Sequence, residues 1–124
     1  MLRRCLSALM AVFALSLVPL ASPAQAGVQI RVNLASQSMT VTTPDGDVRK
    51  WAISSGRAGY RTIRGEYRPY MLKTYHWSRK YGGAMPHAIF FKGGFAIHGT
   101  SAVGRLGSPA SHGCIRLAPG NARE

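Results

Sequence analysis

The chain has 124 residues, enough for one domain, and carries 16 Lys and Arg against 4 Asp and Glu, a net charge of +12. Its two cysteines, Cys5 and Cys114, are too few for a disulfide-stapled scaffold. The basic residues are scattered rather than blocked, which excludes a nucleic-acid-binding tail and fits a solvated surface or attraction to an acidic polymer.

Residues 1–26 read as a secretory signal. Arg3 and Arg4 supply the positive start, Leu6 to Leu20 the apolar stretch, and Ala24-Gln25-Ala26 the small-residue cleavage pattern. The apolar stretch falls short of the roughly 20 residues that span a bilayer and contains Pro19 near its end, so a membrane anchor is not expected. Cys5 precedes the apolar stretch, which argues against a lipid anchor at the cleavage point. The expectation is an exported protein of the periplasm or cell envelope whose domain is residues 27–124, with Cys114 as its only cysteine.

In the domain, Val28, Ile30, Val32 and Leu34 alternate with polar residues, the period-2 signature of a half-buried strand, and Met39, Val41 and Thr43 resume it. Pro44-Asp45-Gly46-Asp47 is a turn, and residues 48–55 (VRKWAISS) read as the returning strand, with Trp51 and Ile53 on one face. Residues 56–68 read as a loop. Residues 69–84 are ambiguous, since Tyr70, Tyr75, Trp77 and Tyr81 suit either a core or a substrate groove. Two strands, 87–92 (HAIFFK) and 94–98 (GFAIH), flank Gly93-Gly94. A glycine-rich loop over 99–113 leads to a short strand over 114–117 (CIRL), and 119–124 begins a helix. The expected class is mostly β, as a sandwich or partly closed barrel.

The chemistry gathers at Ser111-His112-Gly113-Cys114-Ile115-Arg116. A glycine before a cysteine permits a tight turn, and the Gly113 and Cys114 amides are candidates for an oxyanion hole. A thiol needs a base or a nearby cation to become a nucleophile. His98 ends a strand and meets Gly99, whose carbonyl is available to orient it, whereas His112 sits in the glycine-rich loop. His98 is therefore preferred as base and His112 as a positioning or oxyanion-side residue. Arg116, two beyond Cys114, shares its face and is suited to lower the thiol pKa or bind a carboxylate. His76 and His87 read as structural, and Tyr67 and Tyr70 as packing aromatics. The pattern His112-x-Cys114 with one distant His lacks zinc-site spacing, so no metal is expected.

The run HGTSAVGRLGSPASHGCIRL, from His98 to Leu117, resembles the signature of the L,D-transpeptidase catalytic domain family (YkuD-like). Its matching positions are His98-Gly99, Gly107, Ser111, His112, Gly113, Cys114, Ile115 and Arg116. VNLASQSMTV, WAISSG, GEYRP and MPHAIFFKGGFAIHGT extend the likeness through the domain.

The resemblance implies a β-sandwich-like fold and a peptidoglycan L,D-transpeptidase without cofactor. Cys114 would attack the third residue of a donor tetrapeptide stem and expel the terminal D-Ala, forming a thioester. His98, oriented by the Gly99 backbone, would take the thiol proton and later activate the acceptor amine. The products would be 3-3 cross-links or proteins attached to the wall. His112 and Gly113 would line the oxyanion side, and Ser111, Arg116 and Tyr67 the substrate side. The expected partners are stem peptides, with no nucleic acid and no membrane anchor after cleavage, and the protein is expected to be a monomer. A hydrolase on the same acyl-enzyme path and an inactive wall-binding fragment are the alternatives. Thr62-Ile63-Arg64-Gly65 stands where the family has Thr-Pro-x-Gly, and the sequence is expected to lack the family's C-terminal helix and closing strand.

Overall fold

The computed structural model describes residues 27–124, so the expected signal and Cys5 lie outside the described residues. Among the described residues seven strands form two sheets. The first sheet is antiparallel, in the order β1 (Gln29–Asn33), β2 (Ser38–Thr42), β3 (Val48–Ala52). The second runs β4 (Met71–Ser78), β5 (Gly83–Lys92), β6 (Phe95–Gly99), β7 (Ile115–Leu117), and its β6–β7 pair is parallel. A 3-10 turn (Val103–Arg105) lies in the β6–β7 crossover, and a short helix α1 (Pro119–Arg123) follows β7, with proline in its first turn where no hydrogen bond is lost.

Alternation in the first sheet turns Val32, Met39, Val41 and Trp51 toward the second. There they meet Ile97, Ile115, Leu117 and the partly buried Ile89 and Phe91, and Ile53 lies fully buried with them. Each fully buried side chain of this kind contributes about 1.5–3 kcal/mol relative to exposure. The far face of the second sheet carries a smaller cluster, Met85, Ala88, Phe90 and Ala96, against which Met71 and Cys114 pack.

The mostly β, sandwich-like class is the one observed. Several boundaries differ from the sequence reading. β3 ends at Ala52, and Ser54 and Gly56 form single bridges to Arg116 and Ser111 respectively. The ambiguous stretch holds β4. β5 starts at Gly83 and carries Pro86 opposite Tyr75. Finally, β7 begins at Ile115, leaving Cys114 at its threshold.

At His87 the β5 backbone adopts a φ of +52°, which is uncommon for a residue with a side chain. Met85 before it and Ala88 and Phe90 after it consequently share one face, although simple alternation would separate them.

Candidate active site

Three adjoining segments build the site on the far face of the second sheet. β6 places Ala96 and His98 on that face while Ile97 turns to the core. In the parallel register Ile97 is opposite Ile115 and His98 opposite Arg116, so Cys114, preceding Ile115, falls diagonal to His98. His98, His112, Cys114 and Arg116 line one cavity of about 410 Å³, whose floor includes Met85, Phe90 and Phe95. His76 and Tyr81 also line it. His98 and Arg116 additionally wall a second hollow of about 380 Å³ with Pro86, Thr100 and Pro119.

His98 is buried, and its Nδ1 lies 2.7 Å from the Gly99 carbonyl oxygen. A carbonyl only accepts, so Nδ1 carries the proton and Nε2 is left with its lone pair. Burial holds His98 below its usual pKa; the Gly99 bond opposes this, and Arg116 and His76 reinforce it. Burial likewise pushes the Cys114 thiol up, partly offset by the Ala96 backbone amide and by Arg116. The Cys114 Sγ sits 3.6 Å from the Gly94 carbonyl oxygen. Both shifts favour a neutral thiol beside a neutral imidazole.

Behind the cysteine, a polar cradle uses Ser111 as its centre. The Ser111 hydroxyl donates to the Cys114 carbonyl at 2.6 Å and accepts from the Gly113 amide at 3.0 Å. The Ser55 carbonyl accepts from the Ala110 and Ser111 amides. Gln37 in turn fixes Ser55: its Oε1 accepts from the Ser55 amide at 2.9 Å, and its Nε2 donates to the Ser55 hydroxyl at 2.7 Å. Thr62 ties the preceding loop in, since its hydroxyl accepts from the Gly56 amide and donates to the Gly113 carbonyl, each at 2.8 Å. Gly113 itself has a φ of +122°, and a methyl there would meet the Phe95 ring at 2.9 Å. Only glycine fits.

In front, His112 stacks on Tyr81 at 4.1 Å and meets the edge of Tyr60 at 4.8 Å. Arg57 donates from Nη2 to His112 Nε2 at 3.2 Å and lies 4.7 Å over the Tyr60 ring. Partial burial first, then Arg57 and Arg116, hold His112 below its usual pKa.

The structure thus gathers Cys114, His98, Gly99, His112, Gly113 and Arg116. It separates two residues expected on the substrate side. Ser111 is fully buried with its hydroxyl engaged from both directions, which places it beneath the site. Tyr67 does not line the cavity: its hydroxyl donates to the Arg64 carbonyl and its ring packs on Phe91 at 5.4 Å. The Gly113 amide is likewise engaged with Ser111, which leaves the Cys114 amide as the one of that pair without an acceptor among the described residues. Residues that the sequence did not single out for the site, namely Gln37, Ser55, Arg57, Thr62 and His76, are joined to it by contacts distant in sequence. Among the described residues no group of three or more His, Cys, Asp or Glu is arranged to hold a metal ion.

Fold and site together define a two-sheet β domain presenting a thiol and an oriented imidazole to a shared cavity. Its family follows from comparison. The sequence profile of the L,D-transpeptidase catalytic domain matches residues 27–124, and the chain belongs to that family. Solved structures similar to it include an L,D-transpeptidase from Mycobacterium smegmatis (28% identity, TM-score 0.70, covering 77% of this chain and 51% of that one). L,D-transpeptidases from Stackebrandtia nassauensis and Xylanimonas cellulosilytica are each 29% identical with a TM-score of 0.70; 82% of this chain is covered, with 50% and 54% of theirs. The chain spans about half the length of these structures. No curated protein matches it.

Proposed function

We propose that the chain is a cysteine-dependent peptidoglycan L,D-transpeptidase acting in the cell envelope. The observation that carries this reading is the diagonal placement of Cys114 and His98 in one cavity, with His98 Nδ1 committed to the Gly99 carbonyl. That bond fixes the tautomer in which Nε2 accepts a proton. Cys114 Sγ attacks the carbonyl of the donor stem's third residue as His98 Nε2 takes the thiol proton. The tetrahedral oxyanion is received by the Cys114 amide, with His112 and the Arg116 charge on the same side. Collapse expels D-Ala, protonated by His98, and leaves a thioester on Cys114. The acceptor amine then gives a proton to His98, attacks the thioester and releases the thiol. His98 also borders the second hollow, which gives the acceptor an approach distinct from the donor's.

Export through a cleaved signal over residues 1–26 places this chemistry at its substrate. Among the described residues no helix is long and apolar enough to cross a membrane.

Incubation of the protein with disaccharide-tetrapeptide, followed by mass spectrometry, tests the reading. Cross-linked dimer with loss of D-Ala is the expected product. Tripeptide alone would establish hydrolysis instead, and the absence of both products and of any Cys114 adduct with a carbapenem would overturn the enzyme reading.

A further inference from the structure

The cavity around Cys114 is lined by cations and by no acid. Arg79, Lys80 and Arg116 line it, and Arg57 reaches its rim through His112. All four acids of the chain lie elsewhere. Asp45 and Asp47 sit in the β2–β3 turn and Glu66 in an exposed loop, while Glu124 pairs with Arg49 at 3.1 Å. Among the described residues the only ion pairs are those of Arg49 with Asp47 and Glu124, so none of the cavity cations has a carboxylate partner.

Such an arrangement is costly in the free protein. Arg116 is partly buried without a carboxylate partner; burial lowers its pKa, Cys114 opposes this, and Arg57 lowers it further. Like charges held around a concave wall are relieved when an anion enters. The floor of Met85, Phe90 and Phe95 suits the aliphatic body of a peptide. The volume, about 410 Å³, suits a few residues rather than a polymer track.

Resting on the transpeptidase reading, we propose that this cationic wall makes the site selective for stem peptides whose side-branch groups are free carboxylates rather than carboxamides. The carboxylates supply the counter-ions that the chain does not, with Arg57 and Arg116 on one side and Arg79 and Lys80 on the other. An uncharged amide leaves these cations as they were and gains only neutral hydrogen bonds. An extended phosphodiester polymer would meet the same charges but not the apolar floor.

Binding, measured apart from chemistry, tests this. Isothermal titration calorimetry would compare a stem tripeptide bearing free side-branch carboxylates with the same tripeptide amidated at its side branches only, the C-terminal carboxylate being kept in both. Lacking the terminal residue, neither has a leaving group. Two partly exposed charge pairs give an expected preference for the acid of about tenfold at low salt, shrinking as salt is raised. The Arg79→Gln/Lys80→Gln variant, altered only at exposed side chains, should lose about severalfold of that preference while melting as the parent does. Equal affinities for acid and amide, a preference insensitive to salt, or tighter binding of a poly(glycerol phosphate) oligomer than of the acidic tripeptide would each overturn the proposal. Acylation of Cys114 by a tetrapeptide is followed separately. Acid preference without acylation would retain the selectivity and remove the transpeptidase reading, and acylation without preference would do the reverse.

Discussion

On β6 and β7 alternate residues point opposite ways. Ile97, Ile115 and Leu117 enter a dry layer shared with the first sheet, whereas His98 and Arg116 enter an open cavity. The dry face is held by contact area and tolerates any side chain of suitable volume. The wet face depends on directional bonds, each with a specific donor and acceptor. A strand only three residues long can serve both because Ser54 also pairs with Arg116 from the other side, its amide donating to the Arg116 carbonyl and its carbonyl accepting from the Arg116 amide.

Substitutions on the two faces should therefore separate stability from chemistry. Cys114→Ala should lower transpeptidation by about 10⁴-fold or more with only a small change in melting, because it removes the reacting sulfur and no other atom from the partly buried cluster. Ile97→Ala, one residue from His98 but facing the core, should do the opposite first. It should cost about 2–5 kcal/mol in denaturant unfolding, with activity falling only as folded protein is lost. Thr62→Val tests the cradle: both of its hydrogen bonds vanish, and the group orphaned on the buried Gly113 side costs about 1–3 kcal/mol. Thr62→Ser should restore both stability and the rate of Cys114 acylation.

The charge on Arg116 is read best from pH. His98 must be neutral to act as a base, and its lowered pKa puts the acidic limb of kcat/KM below the ordinary histidine value of 6.5. Arg116 depresses both His98 and Cys114, so Arg116→Gln should move the acidic and the alkaline limbs to higher pH together. A profile shifted in amplitude alone would assign Arg116 to binding only. The smallest effect is expected at Glu124→Gln, which breaks an exposed pair with Arg49 and should change stability by less than about 1 kcal/mol.

How far the sequence discloses this protein depends on the same two faces. β1 to β3 are legible because one side of each packs and the other is solvated, so hydropathy alternates. β4 is not. Its Leu72, Tyr75 and Trp77 are apolar yet all more than half exposed, and the switch of sides near His87 breaks the period in its neighbour. Pro86 and the paired glycines 82–83 resemble a turn, yet Pro86 lies within β5. Cys114 and His98 are legible from a compact local signature. The cradle behind them is not, because Gln37 meets Ser55 across 18 positions and Thr62 meets Gly113 across 51. Polar residues in loops show no periodicity by which such partners could be matched.

The parallel pairing of β6 with β7 carries a further consequence, for the order of folding. Antiparallel neighbours close through short turns, but parallel ones need a crossover, here residues 100–114. The hairpins β1–β2 and β4–β5 can form early from nearby residues, whereas β7 must await both β6 and the returning segment at Ser54. Cys114 and His98, the proposed nucleophile and base, would then meet only as the last strand docks, so an incompletely folded chain would carry the thiol apart from the histidine. Following thiol labelling of Cys114 against intrinsic tryptophan fluorescence during refolding would test this order: loss of labelling should lag behind the fluorescence change, and simultaneous changes would refute it.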